Sequence, residues 1–186
     1  MPTREYAEHI LRWKKCGNLL AAVCQDFMCE PFILEQTGLC VGDHQVMTTK
    51  NYRLLSMEGT GVYIMPVLQG FAPEEYREHV GVYGRSLRDG AWCGVGSVCK
   101  RNSDVGQIWS VLNAIKAVRP DLRLHGFGLK QTVLQNRTLR DMLYSADSMA
   151  WSYAARKNGR NPNDPKEAMN FTEKMNNEPR QMQLFT

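Results

Sequence analysis

The chain has 186 residues, of which 43% are hydrophobic and 23% charged, as expected for one globular domain with a hydrophobic core. No run of 18 or more apolar residues is present, so a membrane-spanning helix is not expected, and residues 1–15 lack the apolar region of a secretory signal. The net charge of +4 is compatible with a polyanionic partner but does not by itself require one.

Six cysteines are spread along the chain without a CxxC pair. Cys24, Cys29 and His44 do not have the spacing of a zinc site, so buried free cysteines are the favoured interpretation. We therefore predict reduced thiols, a cytoplasmic location, and neither a metal nor another cofactor.

The first half of the chain alternates amphipathic stretches with short apolar runs. The predicted elements are a helix over residues 4–16, a strand over 18–26, a helix over 43–57, a strand over 61–70 and a helix over 72–90. Asp43 is a possible cap of the second helix, Pro73 suits a first helical turn, and Gly90 predicts a helix end.

The same alternation continues in the second half. It predicts a strand over 91–99, a helix over 103–120, a strand over 122–128, a helix over 130–142, a strand over 143–147 and a helix over 148–159. Ser103 or Asp104 can cap the first of these helices, whose buried face is expected to hold Ile108, Leu112, Ile115 and Val118. Gly159 predicts the end of the last helix.

The composition changes at residue 161, where Asn, Pro and Lys become frequent and apolar periodicity weakens. We predict a folded domain over residues 1–160 and a polar, loosely docked tail over 161–186, which could hold a helix at 165–176. Within the domain, strand and helix alternate about five times without hairpin signals, which favours an α/β fold with a parallel sheet covered by helices.

Polar residues and glycines lie at the carboxyl end of every predicted strand. Because ligands bind at the carboxyl ends of parallel strands, we expect these groups to share one pocket. They are Gln25 and Asp26; Gln69 and Gly70; Gly94, Gly96 and Ser97; His125, Gly126 and Gly128; and Ser145, Asp147 and Ser148.

These residues also have purely structural interpretations. Asp147 could cap the helix that follows it, and Gln69 could serve the turn after its strand. His125 could be a hydrogen-bonded core histidine, and the glycines could only permit close backbone approach. They form no GxGxxG phosphate loop, so nucleotide-cofactor binding is not expected.

Basic residues lie beside the same predicted pocket. Lys100 and Arg101 follow the third strand, and Lys130 and Arg156 extend the rim. They are candidates for contacts with nucleic-acid phosphates. The alternative interpretation is that they are solvent-exposed basic residues in turns.

Six short motifs together carry a resemblance to a known family. They are QDFMCEP (25–31), HQVMTTKNY (44–52), PVLQGF (66–71), GVGSVCKRN (94–102), LHGFGLK (124–130) and SADSMAWS (145–152). In this order they resemble the tRNA-guanine transglycosylase superfamily, and specifically its DNA-acting branch, the deazapurine DNA modification proteins of bacteria and phages. The resemblance spans roughly residues 4–160.

The resemblance implies a TIM-type (β/α)8 barrel and a base exchange in DNA, in which guanine is replaced by a 7-deazaguanine such as 7-cyano-7-deazaguanine. Asp147 matches the aspartate nucleophile, Asp26 the acid that reads the purine's Watson–Crick edge, and Gln69 a second base contact. Gly96 lies in the loop whose backbone contacts the base, and the base site is expected to include Ser97, His125 and Gly126. Such modification would evade or define restriction, in the host cytoplasm for a phage protein.

Two features depart from the superfamily. The early Asp-Ser-Gly motif, assigned as a general acid/base, is missing, and about five βα units are present where a closed barrel needs about eight. The barrel is therefore expected to be incomplete in this chain, and a complementing N-terminal chain or a homo-oligomer is a possible partner. No cysteine follows Cys99, so the zinc site of the tRNA enzymes is absent. A tRNA-acting enzyme and a non-catalytic, nucleic-acid-binding or barrel-completing subunit remain alternatives.

Overall fold

The computed structural model describes residues 1–101 and 104–177. Its α-helices are α1 (Thr3–Lys14), α2 (Pro31–Thr37), α3 (Val41–Met57), α4 (Pro73–Tyr83), α5 (Val105–Val118), α6 (Gln131–Gln135), α7 (Arg137–Met142), α8 (Ala150–Lys157) and α9 (Pro165–Asn177). Its strands are β1 (Ala21–Val23), β2 (Tyr63–Met65), β3 (Val67–Leu68), β4 (Trp92–Val95), β5 (Arg123–Gly126) and β6 (Ser145–Ala146).

All paired strands are parallel and follow one another in space as in the sequence. β1 pairs with β2, and β3, β4, β5 and β6 pair in that order. β2 and β3 are halves of one extended segment that Pro66 interrupts, and the carbonyl of Pro66 still accepts the N–H of Gly94 at 2.8 Å. The α/β fold with parallel sheets is thus confirmed. Within the described residues the strands form one two-stranded and one four-stranded sheet, and they do not close into a barrel.

The helices that connect these strands form a layer in which neighbours touch: α3 contacts α4, α4 contacts α5, and α5 contacts α7. Parallel strands in sequential order with right-handed crossovers place every connecting helix on the same face of the sheet. The largest core cluster lies between sheet and helices and includes Leu68, Cys93, Val95, Ile108 and Leu124. A second core cluster, which includes Ile10, Ala22 and Ile64, packs around α1, β1 and β2.

Several element boundaries differ from the sequence predictions. Helix α2 was not predicted, although Pro31 begins it and Gly38, with φ of 67°, ends it. α4 ends at Tyr83 because Gly84 leaves the helical conformation, so the predicted end at Gly90 was wrong. Asp43 does not occupy the cap position; it accepts the N–H of Cys40, the actual cap residue, at 3.0 Å.

In the second half, periodicity did not predict the interruption of one helix or the exposure of one apolar side chain. The predicted helix over 130–142 is split at Asn136, whose side chain caps α7 by accepting the N–H of Leu139. In α5, Asp104 is the cap, and Val111 is buried while Val118 is 42% exposed. Ser103, the other proposed cap, lies outside the described residues.

Beyond residue 160 the chain forms helix α9, which packs against α8 and α6. Arg160 and Glu167 form an ion pair with N–O distances of 2.5 and 3.1 Å, and Met175 is buried. The helix predicted as an option at 165–176 is present; the rest of the predicted tail, residues 178–186, lies outside the described residues.

All six cysteines are within the described ranges and are unpaired. None of the described helices is long and apolar enough to cross a membrane.

Candidate active site

The first polar cluster follows β1, β3 and β4 and consists of Asp26, Gln69 and Ser97, here the Gln69 cluster. The Gln69 side chain is buried, and its amide Nε2 donates to Oδ2 of Asp26. The hydroxyl of Ser97 donates to Oε1 of Gln69 at 3.0 Å. Because Oε1 is occupied by a hydroxyl donor, the amide N–H group must face Asp26, which fixes the orientation of the side chain.

The backbone around Gly96 makes room for this arrangement. A Cβ atom at Gly96 would lie 2.2 Å from Nε2 of Gln69, so only glycine fits beside the amide. Ser97 has φ of 59°, and no other non-glycine residue among those described has a positive φ. A non-glycine residue in this region is conformationally strained, and such strain concentrates at functional sites.

Asp26 is the charged member of the Gln69 cluster. The residue retains solvent-exposed surface, yet surrounding protein desolvates the carboxylate and raises its pKa above the usual value. The hydrogen bond from Gln69 opposes this rise. A partly desolvated carboxylate with free lone pairs is suited to accept hydrogen bonds from a ligand that carries two adjacent N–H donors.

The second polar cluster, the Asp147 cluster, consists of Trp92, His125, Ser145 and Asp147. Oδ1 of Asp147 lies 3.1 Å from Nε2 of His125 and accepts the backbone N–H of Gly128 at 3.1 Å. The carboxylate does not cap α8; instead Ser148 Oγ accepts the N–H of Ala150 at 3.2 Å. The capping interpretation of Asp147 was therefore wrong, and its carboxylate is directed toward the end of β5.

A chain of hydrogen bonds fixes the histidine. Trp92 Nε1 donates to Ser145 Oγ at 2.7 Å, and Ser145 Oγ lies 2.9 Å from His125 Nδ1. Since indole is only a donor, the serine hydroxyl is free to donate to Nδ1, and the neutral imidazole then carries its proton on Nε2, facing Asp147. Ser145 thus acts on Asp147 through His125.

The His125 hydrogen bond is the largest cause of a lowered Asp147 pKa, and the Gly128 N–H lowers it further. Partial desolvation acts in the opposite direction but does not outweigh these bonds. The side chain of Asp147 nevertheless remains 54% exposed. The arrangement therefore holds an ionised carboxylate that a ligand can reach, which is the requirement for a nucleophile.

Phe127 packs beside His125 of the Asp147 cluster. A Cβ at Gly94 would lie 2.3 Å from its ring, and its centroid is 4.8 Å from that of His125. The sequence analysis did not single out Phe127 or Trp92. The available signal was their position, with Trp92 at the start of β4 and Phe127 directly after β5. Gly126 also has a packing role, because a Cβ there would lie 2.5 Å from Leu129.

A cavity of about 400 Å³ adjoins Asp147 on the side of α8 and α9. Its lining includes Tyr144, Asp147, Trp151 and Phe171, so the helix after residue 160 contributes to the surroundings of the acid. No member of the Gln69 cluster lines this cavity. This cavity therefore adjoins the Asp147 cluster alone, and the expectation of one shared pocket stays a prediction.

The candidate phosphate-binding residues divide into two groups. Lys100, Lys130 and Arg156 are exposed, whereas Arg101 is 8% exposed and its guanidinium donates to the carbonyl of Phe71. Arg101 therefore packs in the interior beside Phe71. Lys100, Lys130 and Arg156 remain candidates for phosphate contacts. In residues 1–101 and 104–177 no three or more His, Cys, Asp or Glu side chains are grouped to hold a metal ion.

Comparison with known proteins identifies one matching family model. The model for DpdA, described as DeoxyPurine in DNA protein A, matches residues 2–174. The comparison with curated proteins gives no match. The matched range covers both clusters, the exposed lysines and most of α9.

Proposed function

The chain belongs to the DpdA family, the deoxypurine-in-DNA proteins, and from this premise we propose that it is a DNA-guanine transglycosylase. The family places the chain in DNA modification related to deazapurine insertion, with DNA as the substrate. The specific reaction proposed is the exchange of guanine in DNA for a 7-deazaguanine, such as 7-cyano-7-deazaguanine, on a TIM-type barrel to which this chain contributes five strand–helix units.

The reaction consists of two displacements at C1′. The ionised carboxylate of Asp147 attacks C1′ of a deoxyguanosine, the C1′–N9 bond breaks, and its electron pair leaves with guanine, which takes up a proton. The incoming deazaguanine gives up its N9 proton, attacks C1′ and releases the carboxylate. Two inversions restore the original configuration, and the proton balance is zero.

The observation that carries this proposal is the state of Asp147: exposed, ionised, and hydrogen-bonded by His125 and Gly128 without any capping duty. Removing water from that carboxylate by a bound nucleotide would raise its energy, and the two donors offset this cost.

Recognition of the base is assigned to the Gln69 cluster. Asp26 offers acceptors for the N1–H and the 2-amino group of a guanine-type base, and Gln69 supplies an amide beside it. The target nucleotide must leave its base stack or be single-stranded to reach this site. Exposed Lys100, Lys130 and Arg156 are proposed to contact DNA phosphates.

A second polypeptide is proposed to complete the sheet. β6 pairs with β5 and with no other strand among the described residues, so its second edge is unpaired. An unpaired edge strand is a site for strand addition. This edge also favours a second candidate function, in which the chain is a non-catalytic subunit that completes another chain's barrel.

The proposal is tested by incubating the protein with labelled 7-cyano-7-deazaguanine and either duplex DNA, single-stranded DNA or tRNA. Label in DNA but not in tRNA is expected. Label in tRNA alone would replace the proposal with the tRNA reaction. The assay is repeated with the protein purified from its native source, where mass measurement shows any constant partner. If even that preparation transfers no label, the catalytic proposal fails and the subunit function takes its place.

A further inference from the structure

Helix α3 has an unusual buried face. His44, Gln45, Thr48 and Thr49 are each no more than 2% exposed, although all four are polar. Helices of globular proteins normally bury apolar side chains, since a buried hydrogen bond adds less net stability than apolar burial. These residues belong to the motif HQVMTTKNY, to which neither the proposed chemistry nor the base contacts assign a role.

One group of contacts from α3 holds the segment that carries Asp26. Thr48 Oγ1 accepts the backbone N–H of Phe27 at 2.8 Å, and Asn51 Nδ2 donates to the carbonyl of Gln25 at 3.0 Å. His44 Nδ1 donates to the carbonyl of Met28 at 2.6 Å. The backbone is therefore tied to α3 on both sides of Asp26.

A second group holds Gln69. Gln45 Nε2 donates to the carbonyl of Gln69 at 2.9 Å, and His79 Nδ1 accepts the N–H of Gln69 at 2.8 Å. Both polar groups of the Gln69 backbone are thus bound by buried side chains in place of a neighbouring strand. His79 is itself attached to α3, because its Nε2 lies 3.1 Å from the carbonyl of Gln45 and 3.2 Å from Thr49 Oγ1.

The protonation of His79 follows from these partners. Nδ1 faces an N–H donor and must accept, so the proton of the neutral ring lies on Nε2, where a carbonyl accepts it. Complete burial lowers the pKa of His79 to about 4, so the ring is neutral near pH 7 and its acceptor is always available.

We propose that α3, together with His79, is the positioning element of the purine-reading pair. One rigid helix holds the two backbone segments that present Asp26 and Gln69, and so sets the spacing between the carboxylate and the amide. The inference rests on the proposed function in one respect only, which is that these two side chains read the purine. His44, Gln45, Thr48, Asn51 and His79 are then positioning residues that need not touch the base.

The first test compares two substitutions of His79 that divide its functions. In His79→Asn the side-chain oxygen can replace Nδ1 as acceptor for Gln69, whereas in His79→Gln the amide reaches the position of Nε2 and this acceptor is lost. We expect hydrogen exchange of the Gln69 amide, measured by NMR, to accelerate at least about tenfold in His79→Gln and much less in His79→Asn. Binding of 7-cyano-7-deazaguanine, measured by calorimetry, should weaken by about tenfold in His79→Gln and be largely retained in His79→Asn.

The second test uses a nearly isosteric change that leaves the core volume intact. Thr48→Val removes the acceptor of the Phe27 N–H; its control, Val46→Thr, changes a 55% exposed position on the same helix. Faster exchange of the Phe27 amide and weaker base binding are expected in Thr48→Val, and neither in the control.

The outcomes separate this inference from the proposed function. If wild-type protein binds the base but the variants bind it equally well, α3 has no positioning role and the inference is overturned while the function stands. If wild-type protein does not bind the base, the purine-reading role of Asp26 and Gln69 falls, and the inference falls with it. Unchanged exchange at Gln69 and Phe27 would refute the backbone contacts themselves.

Discussion

His125 and Asp147 meet through Nε2 and Oδ1 at 3.1 Å, and this contact is the largest cause of the lowered Asp147 pKa. His125 lies in β5, and Asp147 directly follows the neighbouring strand β6. The contact lowers the pKa of an exposed carboxylate and holds it in one orientation. It depends in turn on Ser145 and Trp92, which set the histidine tautomer.

Asp147→Asn is expected to reduce incorporation of labelled deazaguanine into DNA by a factor on the order of 1000 or more, because the amide cannot form the glycosyl intermediate. The isosteric amide leaves the fold intact, which thermal unfolding would verify. Asp141→Asn is the matched control, since Asp141 is exposed and pairs only with Arg137 on the same helix. Normal incorporation by the Asp147 variant would remove this residue from the nucleophile role.

His125→Asn removes the donor to Asp147 and should lower kcat by about 10- to 100-fold, the range for a hydrogen bond to a charged group. The Asp147 pKa would also rise toward its ordinary value, so the acidic limb of the kcat profile moves to higher pH. His125→Gln, which can place an amide N–H near the Nε2 position, should keep part of both properties. A profile that is unchanged in His125→Asn contradicts the role given to this contact.

Asp26 predicts a separate pH effect on base binding. Its pKa is raised by desolvation, so the carboxylate takes up a proton at higher pH than a free aspartate. Affinity for the deazaguanine base should therefore decline as pH falls through that raised pKa, before Asp147 is protonated. Calorimetric titrations between about pH 7 and about pH 4 test this, with Asp26→Asn as a variant whose weaker binding no longer varies with pH. A wild-type affinity that is constant over this range would contradict the assignment.

His79 predicts a pH dependence of stability. Its folded pKa is about 4, below the unfolded value of 6.5, so the unfolded chain binds the extra proton between these values. The neutral folded state is fully favoured above pH 6.5, and stability is lost as pH falls toward 4, by about 3 kcal/mol in total. Urea unfolding of wild type and His79→Asn at several pH values should show this loss in wild type only. Parallel curves for the two proteins would refute it.

Gly96 and Gly81 form a pair for testing the space beside Gln69. A Cβ at Gly96 meets the Gln69 amide at 2.2 Å, whereas a Cβ at Gly81 meets nothing within 4 Å. Gly96→Ala should displace the Gln69 side chain, cost about 1–3 kcal/mol of stability and weaken base binding. Gly81→Ala lies inside α4 and should stabilise the protein by about 1 kcal/mol without affecting binding. Both free energies are measured by chemical unfolding. Equal effects of the two substitutions would contradict the inference that Gly96 leaves the space occupied by the Gln69 side chain.

The sequence alone determined the alternation of parallel strands and helices, and the acids and amides at the ends of the strands. Asp104 as a helix cap, the apolar strands and the acids at strand ends are read from a few neighbouring residues, because caps and periodicity are local properties of the backbone. The same locality explains the failures. Helix α2 is too short for a periodic pattern, and the contacts of Asp147 with His125 and Gly128, which exclude a capping role, are tertiary.

Tertiary structure alone decided which polar side chains act together. Trp92 and Ser145 are 53 residues apart in the sequence. They are in contact because β4 and β6 lie on either side of β5 in parallel register. The role of the polar face of α3 cannot be inferred from the sequence, because it depends on contacts with the distant segments of Asp26 and Gln69. The charges of the site follow the same rule. The sequence specifies the type of each titratable group, but the pKa of that group depends on solvent exclusion and on partners from distant positions.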